Sequence, residues 1–157
     1  MFPKIVFFKK CERESHGKEK NMCNDSLIYL TTPTTSAVPS GGVLPLSTIV
    51  RRRGSSIQQS NDSIVLGKAG YYRVSVSATF TAPTAGVVSL TARVDGVPVS
   101  GATASTTITT ATTEVRSLSF DAIVRVSCCG SPVTLTIVNG GVAITTSNVA
   151  VNVEYLD

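Results

Sequence analysis

Residues 71–81 read Tyr-Tyr-Arg-Val-Ser-Val-Ser-Ala-Thr-Phe-Thr, and this alternation of apolar and polar side chains is the clearest structural signal in the chain. Every second residue from Tyr72 to Phe80 is apolar, and the residues between them are polar. Successive side chains of a β-strand point to opposite faces of a sheet, so a period of two predicts a strand. One face of this strand lies in a core, and the other meets water or a neighbouring chain.

The same period of two recurs on both sides of this strand. A second long strand is predicted over residues 115–126, with Leu118, Phe120, Ala122, Val124 and Val126 in phase. Shorter strands are predicted over residues 27–30, 43–50, 64–66, 91–94, 97–99, 132–138 and 148–156. From residue 27 onward the chain is rich in Thr, Val and Ser, and β-branched side chains favour strands over helices. We therefore expect an all-β protein of about eight to ten short strands and no helix.

Turn residues separate these segments where antiparallel pairing requires them. Asp95-Gly96 and Asn139-Gly140 both accept the positive φ values of type I′ turns, so both are predicted to form tight hairpins. Further turns are predicted at residues 68–70 and 83–86. Short strands joined in this way predict an antiparallel jelly-roll sandwich.

The run from Thr103 to Thr113 has no charged residue before Glu114 and a single large apolar residue, Ile108. It has two interpretations, a flexible rim loop or an extended strand that pairs with a neighbouring chain. We favour the strand, because an unpaired row of β-forming residues is an edge that a second subunit covers.

Charge marks a boundary near the start of the chain. Residues 1–25 hold six basic and four acidic residues, whereas the other 132 residues hold eight basic and six acidic ones. The length of 157 residues suits one buried core. We therefore divide the chain into a charged N-terminal anchoring arm (1–25), a linker with the first strand (26–42) and a jelly-roll domain (43–157).

The N-terminal residues are not expected to form a secretory signal. Their apolar run, Ile5 to Phe8, is four residues long and ends at Lys9-Lys10, whereas a signal peptide needs an apolar segment of about 7–15 residues. No stretch approaches the ~20 apolar residues of a membrane span. We expect the protein to be made in a cytoplasm and released by an event such as lysis.

The charge distribution also argues against nucleic-acid binding, which needs a concentrated basic face. The body has one dense basic run, Arg51-Arg52-Arg53, which we interpret as a solvated strand end or loop.

No catalytic, cofactor or metal site is predicted. His16 is the single histidine of the chain, and it is distant in sequence from the nucleophiles of the body, which argues against a Ser-His-Asp or Cys-His unit. Cys11 and Cys23 flank His16 without the spacing of a zinc site, so free thiols are expected and a metal site is the alternative. Cys128 and Cys129 are adjacent in the body, a spacing that likewise does not match a zinc site.

Three segments carry a family resemblance: residues 41–46 (Gly-Gly-Val-Leu-Pro-Leu), residues 64–75 (Ile-Val-Leu-Gly-Lys-Ala-Gly-Tyr-Tyr-Arg-Val-Ser) and residues 94–101 (Val-Asp-Gly-Val-Pro-Val-Ser-Gly). Together they resemble the tumour-necrosis-factor-like and complement-globular-head-like jelly roll. The similarity is greatest to its bacterial and phage branch, which includes the C-terminal domain of the spore exosporium glycoprotein. It covers roughly residues 38–157.

This resemblance implies a compact homotrimer that binds, decorates or forms stalks, and it supplies no catalytic motif. The chain departs from the exosporium protein because it has no Gly-X-Y stalk before the jelly roll. The charged arm stands in its place.

These observations favour a non-enzymatic virion protein of a phage, a trimeric module of the capsid-decoration or head-fibre type that displays a surface. We expect the arm to bind a capsid or other virion protein through Ile5, Val6, Phe7, Phe8, Lys9 and Lys10. One alternative is a bacterial surface or spore-layer protein. Another is a carbohydrate-binding fibre tip that recognises a host-surface glycan or protein, for which the candidate aromatic residues are Tyr29, Tyr71 and Tyr155.

Overall fold

The computed structural model describes residues 26–128 and 132–156, which form eleven β-strands and no helix. The predicted all-β class is confirmed. The strands are β1 (Leu27–Thr32), β2 (Ser36–Val38), β3 (Thr48–Arg53), β4 (Ile57–Ser60), β5 (Ser63–Leu66), β6 (Gly70–Thr81), β7 (Gly86–Val94), β8 (Val97–Ile108), β9 (Arg116–Val126), β10 (Val133–Asn139) and β11 (Ile144–Tyr155).

The strands pair into two antiparallel sheets. Sheet 1 has the order β3-β1-β11-β6-β9, with β2 also paired to β11, and sheet 2 has the order β4-β5-β10-β7-β8. Apart from the hairpins β4-β5 and β7-β8, the chain passes from one sheet to the other at every connection after β3. This is a jelly-roll sandwich, as predicted, and residues 27–38 contribute β1 and β2 to sheet 1.

The predicted phase of β6 is confirmed. Its alternate apolar side chains are at most 2% exposed: Tyr72, Val74, Val76, Ala78 and Phe80. β6 lies between β11 and β9, so its inward face contributes to the middle of the core.

The predicted phase of β9 is also confirmed, with one difference in burial. Leu118, Ala122, Val124 and Val126 are at most 9% exposed. Phe120 faces the same way but is only half-buried, and it packs against the rim of the core. β9 borders sheet 1, so within the described residues no further strand of this sheet lies beside it.

The hairpin predicted at Asp95-Gly96 is confirmed. The two residues have φ values of 53° and 85°, and they join the paired strands β7 and β8. The Asp95 carboxylate also accepts a hydrogen bond from the backbone N–H of Thr134 at 2.8 Å, which attaches the turn to β10.

The hairpin predicted at Asn139-Gly140 is wrong. β10 belongs to sheet 2 and β11 to sheet 1, so the residues between them cross the sandwich instead of joining paired strands. Asn139 is fully buried, and its amide donates to the backbone oxygens of Val142 (2.9 Å) and Pro39 (3.3 Å). Its side-chain oxygen accepts from the N–H of Gly141. The Asn139 side chain therefore stabilises a crossover loop.

The strand predicted over residues 43–50 is also wrong in its bounds. Val43 makes one isolated bridge to Val138, and the continuous strand β3 begins at Thr48. Pro45 has no backbone N–H and cannot sustain a regular ladder, and its carbonyl instead accepts from the Thr32 hydroxyl at 2.7 Å. The apolar residues that suggested the strand, Leu44 and Leu46, are buried as loop residues.

The threonine-rich run is extended over most of its length. Residues 103–108 belong to β8, where Thr103, Ser105 and Thr107 lie opposite residues of β7. On this edge, β8 therefore pairs with β7 of the same chain and not with the neighbouring chain that was expected. The opposite edge of β8 has no strand partner within the described residues. Residues 109–113 are not part of a strand.

Candidate interaction surfaces

The face of sheet 1 that points away from the core is a regular surface of the sandwich. We call it the outer face of sheet 1. It is formed by the residues of β1, β11, β6 and β9 that alternate with the core residues. They are Leu27, Tyr29, Thr31, Thr145, Asn148, Ala150, Asn152, Glu154, Tyr71, Arg73, Ser75, Ser77, Thr79, Thr81, Ser117, Ser119, Asp121, Ile123 and Arg125, and Arg51 and Arg53 of the neighbouring strand β3 project on the same face.

The middle of this outer face is made of small side chains. Ser77 lies opposite Ala150 of β11 on one side and opposite Ser119 of β9 on the other. Next to this row, Thr79 lies opposite Ser117, and their hydroxyls are 3.0 Å apart. A surface with short side chains and little charge can approach another surface closely without a large desolvation cost.

One end of the outer face has larger side chains, two of which are exposed and apolar or aromatic. Tyr71 and Ile123 are 47% and 53% exposed, so roughly half of each side chain is available for contact. Arg73, which lies opposite Ile123, is 3.8 Å from Asp121 in an ion pair exposed on both sides. An exposed pair of this kind contributes little to stability, about 0–1 kcal/mol.

The strands β8 and β9 form one side of the sandwich, because each borders its sheet and the two contact each other. Glu114 organises the loop between them. Its Oε1 accepts from the backbone N–H groups of Thr109 (2.6 Å) and Thr110 (2.9 Å), and its Oε2 accepts from Nε of Arg116 at 2.7 Å. These hydrogen bonds, first those from Thr110 and Thr109 and then that from Arg116, lower the pKa of Glu114 to about 2.

The strands β3 and β4 border the two sheets on the opposite side of the sandwich. They are joined by a turn in which Gly54 has a φ of 74°. All six residues of β3 are exposed, including the three consecutive arginines at its end. The interpretation of Arg51-Arg52-Arg53 as a solvated strand end is therefore confirmed.

The three tyrosines considered for glycan binding do not form one platform. The Tyr155 hydroxyl donates to the carbonyl of Ala69 at 2.9 Å, and its ring packs edge-on against Tyr72 with centroids 5.1 Å apart. Nζ of Lys68 lies 4.7 Å from the centre of the Tyr155 ring. Tyr155 therefore stabilises the turn before β6, while Tyr29 is half-buried and Tyr71 is the exposed member of the three.

Within residues 26–128 and 132–156, no three His, Cys, Asp or Glu side chains lie close enough together to hold a metal ion. Asp62, a polar loop residue, accepts a hydrogen bond from the backbone N–H of Leu46 at 3.1 Å, which is a structural role. The described part of the chain contains no helix long and apolar enough to cross a membrane.

The predicted arm anchor (Ile5, Val6, Phe7, Phe8, Lys9 and Lys10) lies outside the described residues. The same is true of Cys11, His16, Cys23 and Cys129, so the alternative metal site is not tested. Cys128 lies exposed just beyond β9.

No protein-family model and no curated protein matches this chain. Solved structures do match its fold. Murine APRIL has a TM-score of 0.64 at 13% identity, covering 84% of this chain and 99% of that chain. The globular domain of zebrafish complement 1qA protein has a TM-score of 0.59 at 12% identity, covering 83% and 96%. The PRD1 vertex protein P5 has a TM-score of 0.51 at 14% identity, covering 84% and 97%.

The chain therefore has the tumour-necrosis-factor-like and complement-globular-head-like jelly-roll fold, as the sequence resemblance implied. One of the matching structures is a vertex protein of a phage. At identities of 12–14% these likenesses establish the fold.

Proposed function

We propose that this protein is a non-enzymatic structural module that assembles as a homotrimer and displays a surface on a phage virion, to which its N-terminal arm attaches it. The observation that carries the proposal is the outer face of sheet 1, which spans paired strands and is built from small uncharged side chains at its centre.

The proposed subunit contact places the β8-β9 side of one subunit on the outer face of sheet 1 of the next. Such a contact joins two different surfaces, and it closes into a ring when three subunits complete a full rotation. The small residues around Ser77 allow the close approach, and Tyr71 and Ile123 supply exposed apolar area at one end. The unpaired edge of β8 is covered in the same contact, which protects it from aggregation.

The virion assignment is supported by the fold likeness to the PRD1 vertex protein and by the composition of the arm. Ten of residues 1–25 are charged, and Ile5 to Phe8 form a short apolar run next to two lysines. Such a segment can add a strand to a partner's sheet, with the lysines against acidic groups. The alternative is a bacterial surface or spore-layer protein of the same fold, which would be located on a cell or spore and not on a virion.

Two measurements test the assignment. Mass spectrometry of purified particles is expected to detect the protein in virions and to find it absent from cell-surface or spore-coat fractions. Its presence in the latter alone would favour the alternative.

Co-sedimentation with particles that lack the protein tests the arm. Deletion of residues 1–25 is expected to abolish binding to the particles, because it removes the proposed anchor. Ten of these 25 residues are charged, so the arm should contribute little to the core and the shortened chain should still fold. The far-ultraviolet circular dichroism of the shortened chain serves as a control for folding. Unchanged co-sedimentation would mean that the body carries the attachment site and that the role assigned to the arm is wrong.

A further inference from the structure

The dipeptide Asn139-Gly140 lies where β10 ends, and it does not form the hairpin that its residue types predict. Gly140 also does not adopt a left-handed φ. Asn-Gly pairs in flexible chains lose ammonia spontaneously, because glycine has no side chain to hinder the attack of its nitrogen on the preceding carboxamide. Whether this pair reacts therefore depends on how the fold holds the two groups.

The carboxamide, which is the group attacked, is fully engaged in the native structure. Asn139 is 0% exposed. Its side-chain nitrogen donates to the backbone oxygens of Val142 and Pro39, and its side-chain oxygen accepts from the N–H of Gly141 at 3.1 Å. The carboxamide can neither turn toward the backbone nor reach the water that protonates the departing ammonia.

The attacking atom, the backbone nitrogen of Gly140, is engaged as well. Its N–H donates to the carbonyl oxygen of Ser89 at 2.8 Å. Ring closure requires this nitrogen to lose its proton and to move toward Cγ of Asn139. Both changes break the hydrogen bond to Ser89, and a carbonyl oxygen does not accept the proton as a base. Native geometry therefore opposes the reaction at both atoms.

We propose that Asn139-Gly140 is a self-modification site that the native fold keeps unreactive and that reacts when this end of the sandwich unfolds. In the unfolded chain the Gly140 nitrogen attacks Cγ of Asn139, and the new C–N bond closes a succinimide ring. The carboxamide nitrogen leaves as ammonia with the proton from the Gly140 N–H. Water then opens the ring at either carbonyl, which leaves an aspartate or an isoaspartate at position 139.

Neither product fits the native site. A carboxylate has no N–H to donate, so the carbonyl oxygens of Pro39 and Val142 would lose their partner and face a buried negative charge. An isoaspartate adds one backbone carbon to the crossover, where a Cβ built on Gly141 already overlaps the carbonyl oxygen of Val87. Unfolding of this end therefore becomes irreversible once the chain is modified.

The structural role of Asn139 in the crossover loop accounts for the asparagine and does not require the glycine after it. A Cβ built on Gly140 would meet one atom within 4 Å, the Ser89 hydroxyl oxygen at 2.9 Å. That atom is the end of a half-buried serine side chain, which can rotate away. An alanine at position 140 is therefore compatible with the fold, and it would remove most of the reactivity.

Peptide mapping by mass spectrometry of the full-length protein tests the protection. Loss of ammonia followed by hydrolysis raises the mass of the fragment that contains Asn139 by about 1 Da. In native buffer this change is expected at least about a hundredfold more slowly than in guanidinium chloride at the same pH. The free peptide Thr-Ile-Val-Asn-Gly-Gly-Val-Ala, residues 136–143, gives the unprotected rate. Asn61 is the internal reference, because it is exposed in the native chain, and its rate should change by less than about threefold.

Refolding tests the consequence of the modification. Samples held in denaturant for increasing times are diluted, and the fraction that regains the native circular dichroism is expected to fall in step with the modified fraction. Gly140→Ala should slow modification in denaturant at least about tenfold and preserve refolding. Gly101→Ala, a glycine on β8, is the matched control and should leave the rate at Asn139 unchanged. If Gly140→Ala does not fold, Ser89→Ala combined with it removes the contact with the hydroxyl.

Two results would overturn the inference. Modification of Asn139 at equal rates in the native protein and in the free peptide would mean that these hydrogen bonds do not protect it. Complete refolding of modified chains would mean that the reaction does not make unfolding irreversible. The hydrogen bonds lie within one chain, so a monomer mass with intact protection would contradict the proposed trimer and leave this inference in place.

Discussion

At the scale of single residues, Gly70 allows β6 to begin directly against the ring of Tyr155. Its φ is 139°, and a Cβ built on it would lie 2.5 Å from the Tyr155 hydroxyl oxygen. Gly70→Ala is therefore expected to lower the free energy of unfolding by about 3 kcal/mol or more, from backbone strain and steric overlap together. Urea denaturation measures the loss.

Gly101→Ala is the matched control for that substitution. Gly101 also has a positive φ, 79°, but no atom lies within 4 Å of its Cβ position. Its replacement is expected to cost only the left-handed backbone penalty, about 1–2 kcal/mol. If both substitutions cost the same, the contact with Tyr155 is not what requires glycine at position 70.

Phe80 and Phe120 test how strand position modifies burial. Phe80 is fully buried on the central strand β6, so Phe80→Ala is expected to cost about 3–5 kcal/mol of unfolding free energy. Phe120 is half-buried at the sheet border, and Phe120→Ala is expected to cost about 1–2 kcal/mol. Ser119→Ala, on the exposed face beside it, should stay within about 0.5 kcal/mol. A cost for Phe120→Ala equal to that for Phe80→Ala would mean that Phe120 is fully covered in the assembled protein, as it would be if a neighbouring subunit packs against it on the β8-β9 side.

The alternation of side chains predicted which face of β6 and β9 is buried, and this is correct at every inward position of both strands. It could not predict that Phe120 is less buried than Phe80. How much of a side chain is buried depends on what packs around it in three dimensions, and such long-range contacts are not contained in a local pattern.

At the scale of elements, the loop between β8 and β9 depends on the charge of Glu114. The folded-state pKa is about 2, below the ordinary 4.5, so the unfolded chain binds more protons between these values. The stabilisation is therefore complete above pH 4.5 and is lost as the pH falls through 2. Glu114→Gln is expected to lower the thermal unfolding midpoint at pH 6, and the difference from the unsubstituted protein should shrink toward pH 2. A difference that is constant over this range would contradict the role of the charge.

Two Asn/Asp-Gly dipeptides show what local turn signals can and cannot predict. Asp95-Gly96 joins neighbouring strands of sheet 2, as predicted. Asn139-Gly140 has the same local chemistry but precedes a crossover between sheets, where the Asn139 side chain satisfies backbone groups of the loop. The residue types predict a turn in both cases. Whether the next strand stays in the same sheet depends on the topology of the whole jelly roll.

At the scale of the whole molecule, the sequence predicted part of the candidate surfaces. It assigned Ser75, Ser77 and Thr79 to a face that meets water or a neighbour, and they lie on the outer face of sheet 1. It could not place Ser119 and Ala150 next to Ser77, because these three residues are far apart in the chain and meet only through the pairing of β9, β6 and β11. Arg51-Arg52-Arg53 predicted a solvated strand end, but not that this strand borders sheet 1.

Assembly through the outer face of sheet 1 is the central claim, and light scattering of the full-length protein with one matched pair of variants tests it most directly. Three chains of 16.4 kDa should give a mass of about 49 kDa. Ser77→Arg places a long charged side chain in the middle of the outer face and is expected to give a monomer. Ser60→Arg, at an exposed serine of β4 on the border of sheet 2 opposite β8, should remain a trimer. A monomeric unsubstituted protein, or a trimer that survives Ser77→Arg, would contradict the claim.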